Sequence, residues 1–345
     1  MSVSLTSPGK ISQNTSNRID FLRFLLICGI VFLHMPTVVH PSGDLGVSGL
    51  LKVLIADTLF RSTVPTLTAI SGYLLFVRNA DLKFPRLISN KIRTLLIPMV
   101  LANAPMLIAV FLIQRYTLLD HEFRLQLSPI NPVTWLDAIF GLNQSPINYP
   151  LNFLRDLFVL ALLAPVFGFL IRRIPWIGLA LVTTVFLANL DGPLILRSTM
   201  PVLFYIGGLI ALRNIPLDRL DRFAPFCALI LFGVTIMFAL NPDLNQNYFR
   251  LISPFLWWPI AAIAMKTAWG KRCIKMVPNS FAIYLFHGPI LLITWILLKK
   301  LAHPQILEYA WLFTPFLVIY IAIIVRLVLK KLAPEFGRIL LGGRI

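Results

Sequence analysis

Arg18-Ile-Asp20-Phe-Leu-Arg23-Phe-Leu-Leu-Ile-Cys28-Gly-Ile-Val-Phe-Leu-His34 decides how the chain folds, because three ionisable side chains and a histidine interrupt a run otherwise apolar enough to cross a membrane. An Asp or Arg at the centre of a bilayer helix costs about 2.5–3.5 kcal/mol on insertion scales, so such groups face a polar interior and mark a functional path. Arg23 and His34 are eleven positions apart. At 100° per residue that is within about 20° of three full turns, so both leave a helix on one face, roughly 16 Å apart along its axis. Asp20 lies one turn below Arg23. The expectation is one helix face with a cation low down and an imidazole high up, both turned to a wet crevice.

The surrounding chain has 345 residues, 58 % hydrophobic and 13 % charged, with a mean hydropathy of +0.82. Those values lie outside the range of soluble domains. Apolar blocks of about twenty residues are too long for barrel strands, so the expected fold class is all-α, a polytopic membrane helix bundle in the lipid bilayer. Ten runs stand out, near 19–39, 50–77, 94–114, 151–171, 174–190, 194–212, 223–240, 251–268, 279–298 and 308–329. An even count puts both termini on one side. With the N-terminus in the cytoplasm, twenty of the 31 Lys and Arg residues fall in cytoplasmic segments, seven outside and four within spans. That bias favours cytoplasmic termini.

The expected organisation is one membrane domain over 1–345. It has a polar cytoplasmic tail at 1–18 without a signal-peptide pattern, and a main extracytoplasmic loop at 115–150. The net charge of +17 is scattered through short loops, so nucleic acid is not an expected partner. Cys28, Cys227 and Cys273 have neither metal nor disulfide spacing. No phosphate-binding loop, dinucleotide turn or nucleophile elbow is present, and no metal site is expected.

Further ionisable and small residues recur inside the apolar runs. Asp57 and Arg61 are i and i+4 with the acid first, the favourable sense for an intrahelical pair. Pro65 follows, then Ser71-Gly72-Tyr73, where a bare Gly72 permits close approach of a helix or a ligand. Lys91-Ile-Arg93 leads into the third run as a topological anchor or an anion contact. The 115–150 loop, with Asp120, His121, Glu122, Trp135 and several amides, suits either carbohydrate contact or an interfacial anchor. Arg155 and Asp156 are adjacent, so they diverge by 100°, and one is expected to face a polar cavity. Tyr284-Leu-Phe-His287 opens the ninth run, where His287 fits packing as well as chemistry.

Asp20-x-x-Arg23 with His34 eleven residues on, Arg61 and Pro65 ahead of Ser71-Gly72-x-Leu, the Leu-Leu-Ile-Pro98 run, Asn152-Phe-Leu-x-Asp156-Leu and Ser280-x-x-Ile-Tyr284-Leu-x-His287 occur in one order. Together they resemble the acyltransferase-3 family of integral membrane acyltransferases. The chain departs at Lys91 and Thr94, where the family often has two arginines, and at Asn152, where Trp is common. The resemblance implies acyl transfer from acyl-coenzyme A, a co-substrate and not a bound cofactor, to a saccharide acceptor at a bacterial inner membrane, alongside other polysaccharide-assembly proteins. It assigns catalysis to His34, Arg23, Asp20 and Arg61. Substrate binding falls to Asp57, Ser71, Gly72, Tyr73, Lys91, Arg93, Arg155, Asp156, Tyr284 and His287. In that reading Arg23 and nearby cations hold the donor, His34 is the general base and Arg61 steadies an oxyanion or a carboxylate. An acylated His34 or His287 is an alternative route, and a transporter or polysaccharide flippase is the rival class, since charges at bilayer depth also line transport paths.

Overall fold

A computed structural model describes residues 11–36, 46–118, 123–190, 192–241 and 243–344. Among them there is no strand, and each of the ten apolar runs coincides with a helix. Six helices are long and apolar enough to cross a membrane: Gly46–Val77, Ala80–Tyr116, Tyr149–Arg173, Leu217–Leu240, Ala268–Leu301 and Ile306–Leu332. The other four runs fall short of that measure for visible reasons. Gln13–Leu33 carries Arg18, Asp20 and Arg23. Pro175–Leu187 and Thr199–Leu212 have 13 and 14 residues, about 20 Å against a hydrocarbon core of ~30 Å. Asn247–Ala264 contains two prolines and Arg250. Of the expected polar tail and outer loop, residues 1–10, Asp120, His121 and Glu122 lie outside the described residues.

The first helix starts where Ser12 accepts a hydrogen bond from the Thr15 N–H at 3.1 Å, satisfying one of the donors every helix start leaves open. It is enclosed by the Ala268–Leu301, Gly46–Val77 and Pro304–Leu332 helices. Arg18 is 1 % exposed. It donates twice to the Asp221 carboxylate, at 2.8 and 2.7 Å, and stacks 4.7 Å from the Trp258 ring centroid. Leaving such a guanidinium without its carboxylate costs about 3–5 kcal/mol, so this fork pins the foot of the first helix. Arg172 does the same between two other helices, donating to both oxygens of Asp81 at 2.5 and 3.2 Å.

The densest contact joins Gly46–Val77 to Thr199–Leu212. A Cβ on Gly72 would strike the Phe204 carbonyl oxygen, and one on Gly207 would strike that of Ala69. Two glycines therefore set the helix separation, the small-residue packing that membrane helices use in place of a hydrophobic drive.

The Gly46–Val77 helix is irregular in its first half. Val53–Thr58 is a π-helix and Leu59–Ser62 a 3-10 helix, so residues four apart no longer stack as they would on an α-helix. The expected Asp57–Arg61 side-chain pair does not form. Asp57 instead accepts from Lys52 Nζ at 2.9 Å, and Arg61 Nε donates to the Asp57 carbonyl at 2.8 Å.

Ile11 and Arg344, at the two described ends of the chain, line one cavity, which puts both at the end of the bundle that also bears Arg78 and Lys91. Gly72→Val is expected to destabilise by about 1–3 kcal/mol through overpacking, read as a lower melting temperature of the detergent-purified protein. Gly233→Ala, where a Cβ meets nothing within 4 Å, should leave it unchanged or raised.

Candidate active site

Two polar cavities lie along the first helix, one at each end. The inner cavity, of about 710 Å³, is lined by Arg23, Arg78, Lys91 and Arg344 with Asp20, Ser71 and Tyr284. Four cations face a single carboxylate, so the cavity suits a multiply charged anion. Arg344 is held at its rim by donating to the Thr94 carbonyl at 3.1 Å and by lying 4.1 Å from the Phe281 ring centroid.

The outer cavity, of about 410 Å³, is lined by His34, Arg61, Arg197 and Arg250 with Tyr149, Asn152 and Ser145. Its rim is built by the outer loop. Asn131 caps the Pro132–Phe140 helix, and the Asn103 side chain donates to the Ile139 carbonyl at 2.8 Å and accepts from the Asn148 N–H at 3.2 Å. Those bonds fix Tyr149, whose ring stands edge-on to His34 at 5.8 Å.

His34 caps the first helix, one residue past its last turn. Behind it His287, fully buried, settles the arrangement of protons. His287 Nδ1–H donates to the Tyr284 carbonyl at 2.7 Å, which leaves its Nε2 as an acceptor. His34 Nδ1 stands 3.3 Å from that Nε2 and 2.9 Å from the Ile30 carbonyl, so its N–H is shared between the two. The remaining nitrogen, His34 Nε2, then carries a lone pair, and among the described residues it makes no hydrogen bond. An imidazole oriented through one nitrogen with the other free toward a cavity is poised as a general base or a nucleophile.

The structure thus brings His34 and Arg61 to the outer cavity, Asp20, Arg23, Ser71, Lys91 and Tyr284 to the inner one, and His287 between them. The single crevice expected from the first helix is instead two cavities, since His34 lies at the C-terminal cap while Arg23, at the middle of the helix, faces the cavity that runs along its N-terminal half. Besides His287, six expected site residues line neither. Asp57 is engaged by Lys52. Gly72 is a packing contact, and Tyr73 turns to a third cavity of about 250 Å³ beside Asp218 and Trp258. Arg93, two positions past Lys91, is exposed on the other side of its helix.

Arg155 and Asp156 are a buried brace. Arg155 Nη1 donates to Asp156 at 2.9 Å, and the guanidinium also donates to the carbonyls of Gly141, Leu142, Pro193 and Leu194. The divergence of neighbouring side chains is overcome because Arg155 is long enough to fold back at the start of its helix. Asp156 in turn accepts from the backbone N–H groups of Leu196 and Arg197 at 3.2 and 3.1 Å, which sets the position of Arg197.

Arg78, Arg344, Arg197 and Arg250 were not legible as site residues. The first two read as topological anchors and the last two as outer-loop cations. One signal was available for Arg197 and Arg250: each stands at the start of an apolar run with no acid within four residues to pair with it.

The chain is a helical membrane protein with two cation-lined cavities, and it belongs to the acyltransferase-3 family: a family description reading "Acyltransferase domain" matches residues 16–329. A curated relative, "Succinoglycan biosynthesis protein ExoH" of Rhizobium meliloti (strain 1021), is 31 % identical over 354 residues, covering 97 % of this chain and 94 % of that protein. No solved structure matches.

Replacing His287 removes the acceptor that orients His34. His287→Leu, which has no group to accept the His34 N–H, is expected to lower the acyl-transfer rate on the order of 100-fold, the scale of a displaced general base. Donor affinity and the yield of folded protein should be retained, as measured by turnover and ligand titration on purified protein.

Proposed function

We propose that the protein transfers an acyl group, succinyl in preference to acetyl, from acyl-coenzyme A to a hydroxyl of a bacterial exopolysaccharide or its lipid-linked precursor. In this reading it sits in the inner membrane with the basic end and both termini in the cytoplasm. The observation that carries the proposal is His34 lining the outer cavity with an Nε2 that makes no hydrogen bond among the described residues, on a helix whose N-terminal half faces a cavity holding Arg23, Arg78, Lys91 and Arg344. Family membership supports transfer chemistry over transport. The saccharide and the succinyl group are suggested by the printed name of the relative.

The coenzyme's phosphates would rest in the inner cavity, where guanidinium and ammonium groups match their charge, and the thioester would reach His34. The acceptor hydroxyl gives its proton to His34 Nε2 as its oxygen bonds to the acyl carbon. The charge that develops on His34 is delocalised to Nδ1, whose N–H points at His287 Nε2 and the Ile30 carbonyl. Arg61 steadies the negative oxygen of the tetrahedral intermediate. Collapse breaks the carbon–sulfur bond, and the coenzyme leaves as thiolate, taking the proton from His34.

His34→Ala should leave insertion and yield intact while lowering transfer at least 100-fold. Arg23→Lys should also impair transfer, because an ammonium lacks the planar fork. Mass spectrometry of polysaccharide from deletion strains carrying wild type or either variant reads both and identifies the acyl group. Normal acylation with His34→Ala would refute the assignment.

A further inference from the structure

Three arginines that brace the fold are paired with carboxylates, while the buried Arg326 donates to the Asn279 side-chain oxygen. Arg18 is forked onto Asp221, Arg172 onto Asp81 and Arg155 onto Asp156. The three guanidiniums of the outer cavity are treated differently. Arg61 donates through Nε to a carbonyl, Arg197 through Nε to the Asn152 side-chain oxygen at 3.3 Å, and Arg250 through Nη1 to the Asn247 side-chain oxygen at 2.8 Å. Among the described residues none of the three makes an ion pair, and no carboxylate lines the cavity. Among the described residues both Nη atoms of Arg61 and Arg197, and the Nε and Nη2 of Arg250, have no hydrogen-bond partner.

Three cations in one enclosure repel each other and are held there by other bonds. Asp156 grips the Arg197 backbone and Asn152 its side chain, while Asn247 holds Arg250 through a neutral amide that leaves its charge unspent. Arginine forks of this kind match planar carboxylates bidentately. His34 lines the same cavity, so whatever the forks hold lies beside the reacting group.

We propose that Arg197 and Arg250 form a carboxylate-binding subsite next to His34, taking an acidic group of the ligand that reacts there. The inference rests on the acyl-transfer reading above and adds the class of ligand. The carboxylate has two sources, the far end of a dicarboxylic acyl group or an acidic sugar of the acceptor. Arg61 is shared between this subsite and the oxyanion, and so is not the test position.

The test compares purified wild type, Arg250→Gln, Arg197→Gln and Arg197→Lys in lipid nanodiscs by calorimetric titration. Succinyl-CoA is set against butyryl-CoA, which has a methyl in place of the carboxylate. Glucuronate is set against glucose with saturating coenzyme A filling the inner cavity. Arg197→Lys preserves charge if the Gln variant folds poorly, and should give an intermediate loss.

A charge-assisted fork is worth on the order of 10-fold or more in affinity. If the acyl group supplies the carboxylate, wild type prefers succinyl-CoA, and the variants lose about 10-fold for it with less than 2-fold change for butyryl-CoA. If the acceptor supplies it, the same loss falls on glucuronate and spares glucose and both donors. Unchanged affinities for succinyl-CoA and glucuronate in all folded variants would overturn the subsite. Failure of wild type to bind either acyl-CoA would instead sink the donor assignment, leaving the glucuronate arm to decide the subsite alone.

Discussion

A guanidinium held away from water needs an anion, and that requirement orders this molecule. At the basic end Arg18 is clamped to Asp221 and Arg172 to Asp81. At the far end Arg155 is locked to Asp156 and to four carbonyls. Each clamp joins segments distant in sequence, and each fixes where a helix begins or ends. Of the cations left over, Arg23, Arg78, Lys91 and Arg344 meet in one hollow and Arg61, Arg197 and Arg250 in another, where a ligand can supply the missing charge.

Irregular helix geometry delivers some of those leftovers. Had Val53–Ser62 been regular α-helix, Asp57 would have stood over Arg61 and neutralised it. The wide turn followed by the tight one hands the carboxylate to Lys52 and leaves Arg61 facing the outer cavity. Such distortions cost hydrogen-bond quality, and here the distorted stretch borders the site. The glycine contact between Gly72 and Phe204 acts alongside it, bringing the helix that carries Arg61 against Thr199–Leu212, whose preceding loop carries Arg197.

The helical class and the helix positions were legible because apolar run length and ionisable interruptions are local properties, whereas the one crevice expected for Arg23 and His34 is two cavities. His34 and Arg61 fell where the motif spacing put them. Asp57, Arg155 and Asp156 were misread because pairing depends on backbone geometry and side-chain reach that spacing rules assume to be regular. Arg197 and Arg250 lie 53 positions apart and meet only through folding. The role of His287 as the partner of His34 rests on a contact across 253 positions, which no window of sequence contains.

The separation of the two hollows has a consequence for what can serve as donor. In the proposed reaction a molecule held by its phosphates beside Arg23 and reacting beside His34 must bridge roughly 16 Å of helix axis, so the first helix would measure that molecule like a ruler. An acyl phosphate or a free acid is far too short to touch both marks. A long, narrow arm between phosphate and thioester meets the requirement, and the tyrosine at 284 lines the inner hollow one turn from His287.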